Sequence, residues 1–222
     1  MTIDENLRLI HNQLQGRAAL VCVSKFHPNE AIMEAYNAGE RLFGENRPQE
    51  MQQKATTLPE DVKWHFIGNL QTNKVKIVVP YATLLHSMSN ERLVEEIERQ
   101  AAKIEKRQDV LIELHVANEE TKQGFTPDEA LQLFTPEYIA AHPHIRICGV
   151  MGMASNTDNE ARIRQDFQEI RRTFDRLKAG VFAQSDEFRE ISMGMSGDWQ
   201  IALEYGATIV RIGSAIFGAR QY

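Results

Sequence analysis

The chain has 222 residues and a formal net charge of −6, with 42% hydrophobic and 25% charged residues. This is the composition of a globular protein with a sizeable core, and its acidic balance argues against general binding of nucleic acid. The acidic, amphipathic N-terminus is unlike a signal peptide and no apolar run is long enough to span a membrane, so we expect a cytoplasmic protein without a membrane partner.

Eight short apolar runs predict β-strands, and most of them end in a small or polar residue. They cover residues 18–26, 41–46, 63–68, 83–88, 110–116, 145–152, 190–195 and 208–213. The stretches between them are helical in pattern, most clearly at 29–39, 90–107 and 159–180, where apolar residues recur on one face. The longest gap between runs contains a helical pattern of its own from Asp128.

The alternation of strands and helices is typical of a parallel sheet covered by helices. Roughly eight such units in a chain of this length predict an α/β fold, a single-domain (β/α)8 TIM barrel over residues 1–222. A doubly wound open sheet is the alternative. The absence of a GxGxxG turn after the first run makes that alternative less favoured.

In such a barrel the functional residues lie at the carboxyl ends of the strands. The residues at these ends are Lys25, Asn46, His65, His86, His115, Met153, Ser155, Ser196, Gly197, Gly213 and Ser214. Lys25 is unusual because it ends a run that is apolar enough for a strand buried on both faces, although a lysine there can also be an ordinary surface residue. Cys22 and Cys148 lie in apolar runs without CxxC spacing, so we expect buried thiols and no metal site.

Two of these strand ends, 192–199 (SMGMSGDW) and 210–220 (VRIGSAIFGAR), turn from a strand into a helix through small residues. Small residues let backbone N–H groups approach an anion, and a helix N-terminus adds partial positive charge. The loops after the seventh and eighth strands are also the recurrent phosphate site of this fold. We therefore expect a phosphate group to be bound by the residues at these turns, Ser196, Gly197, Gly213 and Ser214.

Arg211 lies inside the apolar run of the eighth strand, where a guanidinium is costly unless it is paired. Either it faces outward or forms a structural salt bridge, or it points to the barrel centre and donates to a ligand. A lysine, a phosphate site and an arginine on one face suggest a phosphorylated aldehyde held as a Schiff base, and pyridoxal 5′-phosphate fits best. Binding of some other phosphorylated metabolite is the simpler alternative.

Six segments in order carry a family resemblance: VCVSKFHP, GERLFGENRPQE, WHFIGNLQTNK, GVMGMAS, SMGMSGDW and VRIGSAIFGAR. With these segments, the sequence resembles the pyridoxal phosphate homeostasis proteins, single-domain relatives of the N-terminal barrel of bacterial alanine racemase. The resemblance runs from about Leu20 to Arg220. One segment, HSMSN at 86–90, is less typical, because relatives often have an acidic residue near Ser89.

The resemblance implies that Lys25 carries pyridoxal 5′-phosphate as an internal aldimine, that Arg211 meets the pyridine nitrogen and that Asn46 lies beside the cofactor. It implies that the phosphate is held by Ser196, Gly197, Gly213 and Ser214. It also places His65 and Met153 at the same mouth of the barrel. An arginine facing the ring nitrogen disfavours ring protonation, so the ring would be a weak electron sink.

Two functions remain open at this stage. The first is a binding protein that stores, buffers or delivers the cofactor to the apo-forms of pyridoxal phosphate enzymes, acting as a monomer. The second is a weak amino-acid racemase that uses the same cofactor. Alanine racemases need a tyrosine from an added β-domain as a second base, and we expect no such domain because the sequence ends at Tyr222, soon after the eighth unit. The first function is therefore favoured.

Overall fold

The computed structural model describes residues 1–117 and 123–218. Eight β-strands occur where the apolar runs predict them, with ends that differ by a few residues at most. They are β1 (Ala19–Val23), β2 (Leu42–Glu45), β3 (Lys63–Phe66), β4 (Ala82–Met88), β5 (Gln108–Leu114), β6 (Ile145–Gly152), β7 (Glu190–Ser192) and β8 (Ile209–Ile212).

Helices connect these strands. They are α1 (Ile3–Leu14), α2 (Asn29–Asn37), α3 (Pro48–Ala55), α4 (Val75–Val78), α5 (Glu91–Lys103), α6 (Pro127–Leu133), α7 (Pro136–Ala140), α8 (Glu160–Ala179), α9 (Trp199–Glu204) and α10 (Ser214–Phe217), with a 3-10 turn at Thr72–Lys74. The three clearest helical patterns correspond to α2, α5 and α8. Across residues 1–117 and 123–218, no helix combines the length and the apolar character that crossing a bilayer requires.

The strands form one closed, fully parallel barrel in which each strand pairs with the next and β8 pairs with β1. In the closing pair, Val21 lies opposite Arg211 and Cys22 lies opposite Ile212. The prediction of a (β/α)8 barrel is confirmed, and the open-sheet alternative is excluded. Because β1 and β8 run side by side in the same direction, the turn after β1 and the turn after β8 meet at the same end of the barrel.

The main core lies between the barrel and its helices, and α8 shows how the sequence builds it. Asn159 begins the helix by accepting hydrogen bonds from two amides of its first turn. The buried face of the helix then presents Phe167, Ile170 and Leu177, each at most 1% exposed. Burial of side chains of this size contributes about 1.5–3 kcal/mol each. The helix ends at Gly180, as the pattern predicts.

A second, smaller apolar cluster fills the inside of the barrel. It consists of Val21, Leu84, Leu111, Cys148, Met151 and Ile209. Both cysteines are buried as expected, Cys148 in this cluster and Cys22 in the main core. Burial raises the pKa of the Cys148 thiol to about 12, so neither the position nor the acidity of this thiol suits a nucleophile.

A chain of four hydrogen-bonded polar residues also runs through the interior, and we call it the interior chain. Arg211 Nη1 donates to Ser192 Oγ at 2.5 Å, Ser192 Oγ lies 2.9 Å from His86 Nδ1, and His86 Nε2 lies 3.0 Å from His65 Nδ1. A guanidinium can only donate, so Ser192 Oγ accepts from Arg211. The direction of the two bonds of His86 depends on which ring nitrogen carries the proton, and neutral imidazoles satisfy both bonds in either direction. Both imidazoles are neutral in this arrangement. Burial lowers the pKa of His65 to about 4 and that of His86 well below its usual value.

The lowered pKa of His65 predicts a loss of stability in acid. Between pH 6.5 and pH 4 the unfolded chain takes up a proton at this residue that the folded protein does not, so stability falls as the pH is lowered through this window. From pH 7.5 to pH 5 the contribution of His65 is about 2 kcal/mol. His65→Gln should lose that much less stability than the wild type, as measured by urea unfolding at both pH values.

His11→Gln, on the exposed face of α1, is the control for the substitution itself. Equal losses on acidification in the wild type and in His65→Gln would show that His65 titrates normally in the folded protein.

Candidate functional site

Lys25 lies in the turn between β1 and α2, at the carboxyl end of the barrel, and is half-buried. The turn is defined by two backbone hydrogen bonds: Ser24 N–H donates to the carbonyl of Gly44 at 3.0 Å, and His27 N–H donates to the carbonyl of Ser24 at 3.1 Å. We call residues 24–27 the Lys25 turn. The strand before it is buried, so Lys25 follows a buried strand at the carboxyl end of the barrel. Its place at the inner rim stays a prediction.

The two small-residue turns adjoin each other and the Lys25 turn. Ser196 Oγ accepts a hydrogen bond from the amide of Gly213 at 3.4 Å, which links the loop after β7 to the loop after β8. A Cβ atom on Gly213 would lie 3.1 Å from the carbonyl oxygen of Val23, directly before the Lys25 turn. A Cβ atom on Gly197 would meet no heavy atom within 4 Å, so this backbone borders open space.

Ser214 begins α10, and the amides at the first turn of a helix have no carbonyl within the helix to bond to. In α10 the amides of Ile216 and Phe217 already donate to the Gly213 carbonyl, at 2.8 and 2.9 Å, so within the described residues this turn leaves the amides of Ser214 and Ala215 for an anion. Phosphate binding at these turns stays a prediction.

Arg211 is 5% exposed and points into the barrel. Its guanidinium donates to Ser192 O at 2.9 Å, to Ser192 Oγ at 2.5 Å and to Gly152 O at 3.1 Å. All of these acceptors are neutral, and burial lowers the pKa of the guanidinium to about 10, so it stays charged at pH 7. This geometry contradicts an outward-facing arginine, and within residues 1–117 and 123–218 the guanidinium is hydrogen-bonded to neutral oxygens instead of to a carboxylate.

Two acidic residues oppose the lowering of the Arg211 pKa through their charge, Asp198 first and then Glu113 on β5. Glu113 is the one that lies on a barrel strand. It is 6% exposed, and burial raises its pKa to about 7 while the charge of Arg211 opposes that rise. Glu113 is not among the residues that the sequence predicts for the site. Its only signal is a single carboxylate in the apolar run VLIELHV, and the strand register that turns it inward cannot be read from that run.

Asn46 follows β2 at the same end of the barrel. Its Oδ1 atom is buried and makes no hydrogen bond within the described residues. Gly68 follows β3 so closely that a Cβ atom there would lie 2.4 Å from the Asn46 carbonyl oxygen. The two strand ends thus hold an unpaired acceptor at the mouth of the barrel, and a buried acceptor of this kind is costly unless a ligand donates to it.

His65 is not at this mouth, and the expectation that it lines the mouth is wrong. It is buried in the interior chain and borders a cavity of about 680 Å³ at the opposite end of the barrel, beside Ala19, Leu42 and Lys63. His86 is also an interior residue, at the next position of the same chain. The sequence shows that histidines occur on the third and fourth strands. It does not show how deep in the barrel each strand places its histidine.

Met153 does lie at the carboxyl end. It is half-buried and lines a cavity of about 410 Å³ together with Ser155, Met195 and Gly197. His115 follows β5 and is also half-buried. Thus Lys25, Asn46, Met153 and the two small-residue turns share one end of the barrel, and Arg211 lies beneath that end.

Charged residues that the sequence did not predict lie against the Lys25 turn. Lys54 is only 5% exposed and contacts two carboxylates, Glu45 Oε1 at 2.8 Å and Glu50 Oε1 at 2.7 Å. The available signal was the spacing of Glu50 and Lys54, four residues apart on α3. Such pairs are common on exposed helix faces, so the spacing alone does not indicate burial.

Known proteins resemble this chain along nearly its whole length. The family described as "Alanine racemase, N-terminal domain" matches residues 1–221. The pyridoxal phosphate homeostasis protein of Aquifex aeolicus is 42% identical over 206 residues, which is 92% of this chain and 88% of that protein.

The structure of PipY from Synechococcus elongatus with pyridoxal phosphate bound superposes with a TM-score of 0.85 at 33% identity, over 98% of this chain and 100% of that one. An alanine racemase from Bartonella henselae shares the fold at 17% identity, with a TM-score of 0.76 over 98% of this chain and 58% of that one. The chain therefore belongs to the pyridoxal phosphate homeostasis protein family, within the wider group that contains the N-terminal domain of alanine racemase.

Proposed function

We propose that this protein binds pyridoxal 5′-phosphate at the carboxyl end of the barrel, holds it covalently on Lys25 as a Schiff base and serves the cofactor supply of the cytoplasm. In this role it stores or buffers the cofactor, or delivers it to apo-enzymes, as a monomer whose binding domain is residues 1–222. One observation carries the proposal: a lysine, two adjoining turns of small residues and a buried guanidinium lie at one end of the barrel. The family name and the ligand of PipY support it.

The residues present fit this cofactor. It brings an aldehyde for an amine, a phosphate for backbone donors and a pyridine ring, and when bound it supplies an electron sink whose strength depends on ring protonation. The open backbone at Gly197 and the amides of the α10 turn suit the phosphate. The unpaired Oδ1 of Asn46 leaves one hydrogen-bonding position for the ligand at the mouth.

Lys25 would supply the neutral amine with which an aldehyde forms an imine by loss of water. A free lysine has a pKa near 10.4, so the reaction needs an amine that is kept from full hydration and held in place. The half-buried position of Lys25 at the end of a buried strand suits that need.

Arg211 favours holding the cofactor over turning substrates over. A guanidinium that faced the pyridine nitrogen would be positively charged and could not accept a hydrogen bond from a protonated ring. It would therefore disfavour ring protonation and make the ring a weaker electron sink. Racemisation also needs a second base on the opposite side of the substrate. Tyr36 and Tyr138 lie on helices, Tyr81 directly precedes β4 and Tyr205 directly follows α9, so none of the four ends a strand at the mouth. Tyr222 lies outside the described residues.

Weak racemase activity is the alternative function, and one measurement separates it from the proposal. The loaded protein is incubated with L-alanine or D-alanine, and the enantiomer ratio is followed by chiral chromatography. We expect the ratio to stay unchanged over many hours at equimolar protein. Repeated turnover on that time scale would contradict a role limited to binding.

Lys25→Ala should keep the fold and lose covalent attachment. No core volume is removed, because the side chain of Lys25 is only half-buried. The variant should lose the visible absorbance band of the loaded protein and the pyridoxyl mass that borohydride fixes, yet retain weak phosphate-dependent binding. Peptide mapping of the reduced wild type and of Lys25→Ala tests this, with Lys74→Ala as a matched control that should behave like the wild type.

A pyridoxyl group on Lys54 or Lys74 of the wild type, with Lys25 unmodified, would exclude this assignment. The same holds for Lys122, which lies outside the described residues.

Phosphate binding should depend more on backbone access than on the serine hydroxyl. Ser214→Ala removes one hydrogen bond, worth about 0.5–1.5 kcal/mol, so the Kd should rise by roughly tenfold or less. Gly213→Val should raise it far more, because even a Cβ there lies 3.1 Å from the Val23 carbonyl oxygen and the larger side chain covers the amides. Equilibrium titration of both variants gives the answer. Loss of binding in Ser214→Ala with full binding in Gly213→Val would refute the backbone cradle.

Arg211→Glu should change the spectrum of the bound cofactor more than its occupancy. A carboxylate facing the ring nitrogen favours a protonated ring and strengthens the electron sink. Because Glu113 lies in the same interior and its charge interacts with Arg211, the substitution is best combined with Glu113→Gln to avoid two neighbouring acids. The measurement is the absorbance spectrum together with a thermal melt. A folded variant with an unchanged spectrum would place Arg211 away from the ring.

A further inference from the structure

The Lys25 turn rests on three buried charged residues that come from β2 and α3. They are Glu45, Glu50 and Lys54, and we call them the anchor cluster. The side chain of Glu45 is fully buried, that of Lys54 is 6% exposed and that of Glu50 is 19% exposed. None of these three residues is proposed above to contact the cofactor.

Lys54 uses its ammonium group to join the cluster to the turn. Nζ donates to Glu45 Oε1 at 2.8 Å, to Glu50 Oε1 at 2.7 Å and to the backbone carbonyl of Ser24 at 2.9 Å. An ammonium has three donors, so these contacts use all of them. Ser24 Oγ also donates to Glu45 Oε1 at 2.6 Å. The residue before Lys25 is therefore held through both its backbone and its side chain.

The residue after Lys25 is held by the same cluster. The amide of Phe26 donates to Glu50 Oε1 at 2.7 Å. Phe26 has φ of 66°, in the left-handed region that is rare for a bulky residue, and such a conformation persists only where surrounding contacts enforce it. The guanidinium of Arg47, 4.3 Å from the centre of the Phe26 ring, adds a further contact from the start of α3.

The far side of the turn is fixed by α10. The ring of His27 stacks on Phe217 with 4.8 Å between the ring centres. Phe217 ends the short helix whose first turn adjoins the proposed phosphate position. The Lys25 turn is thus held between α3 on one side and α10 on the other. These contacts fix the distance between Lys25 and the proposed phosphate position at the start of α10.

The chemistry of the anchor cluster is costly for a merely structural contact. A buried lysine with two carboxylates loses most of its hydration, and apolar residues of similar size usually stabilise a fold as well or better. One oxygen of the cluster, Glu45 Oε2, is buried without a hydrogen-bond partner among the described residues. A charged cluster provides what an apolar one does not: directional donors and an acceptor aimed at the backbone on both sides of Lys25.

We propose that Lys54 is a positioning residue for Lys25, which it serves by fixing the Lys25 turn through Ser24 and, by way of Glu50, through Phe26. The inference rests on the proposed function of Lys25. It assigns to the anchor cluster the task of keeping the amine at the inner rim in an orientation ready to react. Lys54 does not touch the cofactor in this assignment.

The principal variant is Lys54→Met, which keeps the length of the side chain and removes its donors. Its matched control is Lys106→Met. Lys106 is likewise a partly buried lysine whose ammonium donates to two backbone carbonyls, those of Val79 and Ala82, each at 2.6 Å, but these lie at the start of β4, at the other end of the barrel. A second pair, Glu50→Ala and Glu50→Gln, tests the cluster at its most exposed member, where misfolding is least expected.

Two quantities are measured for each variant. In the protein without cofactor, hydrogen exchange of the Phe26 amide reports how well the turn is held. With added pyridoxal phosphate, the rate constant for appearance of the borohydride-reducible adduct on Lys25 reports how ready the amine is. Thermal melts identify any loss of stability that the Lys54 and Lys106 variants share.

Lys54→Met and Glu50→Ala should each raise the exchange rate of the Phe26 amide and lower the adduct rate constant by at least tenfold. Glu50→Gln, which keeps an oxygen to accept from Phe26, should lie within a few-fold of the wild type. Lys106→Met should leave both quantities unchanged, even if it lowers the Tm as much as Lys54→Met does.

An adduct rate in Lys54→Met no slower than in Lys106→Met would overturn the inference, and so would unchanged Phe26 exchange. Should the wild type form no adduct on Lys25, the proposed function fails instead, while the exchange data still report on the anchor.

Discussion

The pairing of β8 with β1 is the contact on which the functional end of this protein depends. It joins the two ends of the chain into a closed sheet and sets Val21 beside Arg211. With that register, the turn after β1 and the turn after β8 become neighbours, although they are far apart in sequence. The proximity of Lys25, Arg211 and the small-residue turn after β8 depends on this register.

Around this contact the protein uses charge in two different ways. Arg211 is buried against carbonyl and hydroxyl oxygens, so its positive charge is left uncompensated by a directly bonded acid at the point where a ligand ring would lie. The positive charge of Lys54, by contrast, is paired with the carboxylates of Glu45 and Glu50. Its contribution is the direction of its hydrogen bonds and not an electrostatic field. In the proposed function, Arg211 would act on the electronics of the ligand, and Lys54 would act on the geometry of the lysine that holds it.

The fold and the positions of the turns could be predicted from the sequence, whereas the depth of individual side chains in the barrel could not. Strand positions, the barrel and the small-residue turns could be predicted, because hydrophobic period and strand–helix alternation are local properties. The depth of a side chain in the barrel depends on the stagger of neighbouring strands, so His65 was expected at the mouth and lies in the interior chain. Lys54 was missed for a similar reason: its spacing from Glu50 is that of an ordinary surface pair, and only the packing of α3 against β2 buries it.

A crystal structure of the protein grown with pyridoxal phosphate tests most directly whether barrel closure assembles a cofactor site. The expected result is continuous density from Lys25 Nζ to the ligand, with the phosphate against the backbone of Gly197 and Gly213 and the pyridine nitrogen facing Arg211. The Lys25 turn should keep the contacts of Ser24 with Lys54 and of Phe26 with Glu50. Density for the ligand on another lysine, or with its phosphate away from these two turns, would contradict the site described above.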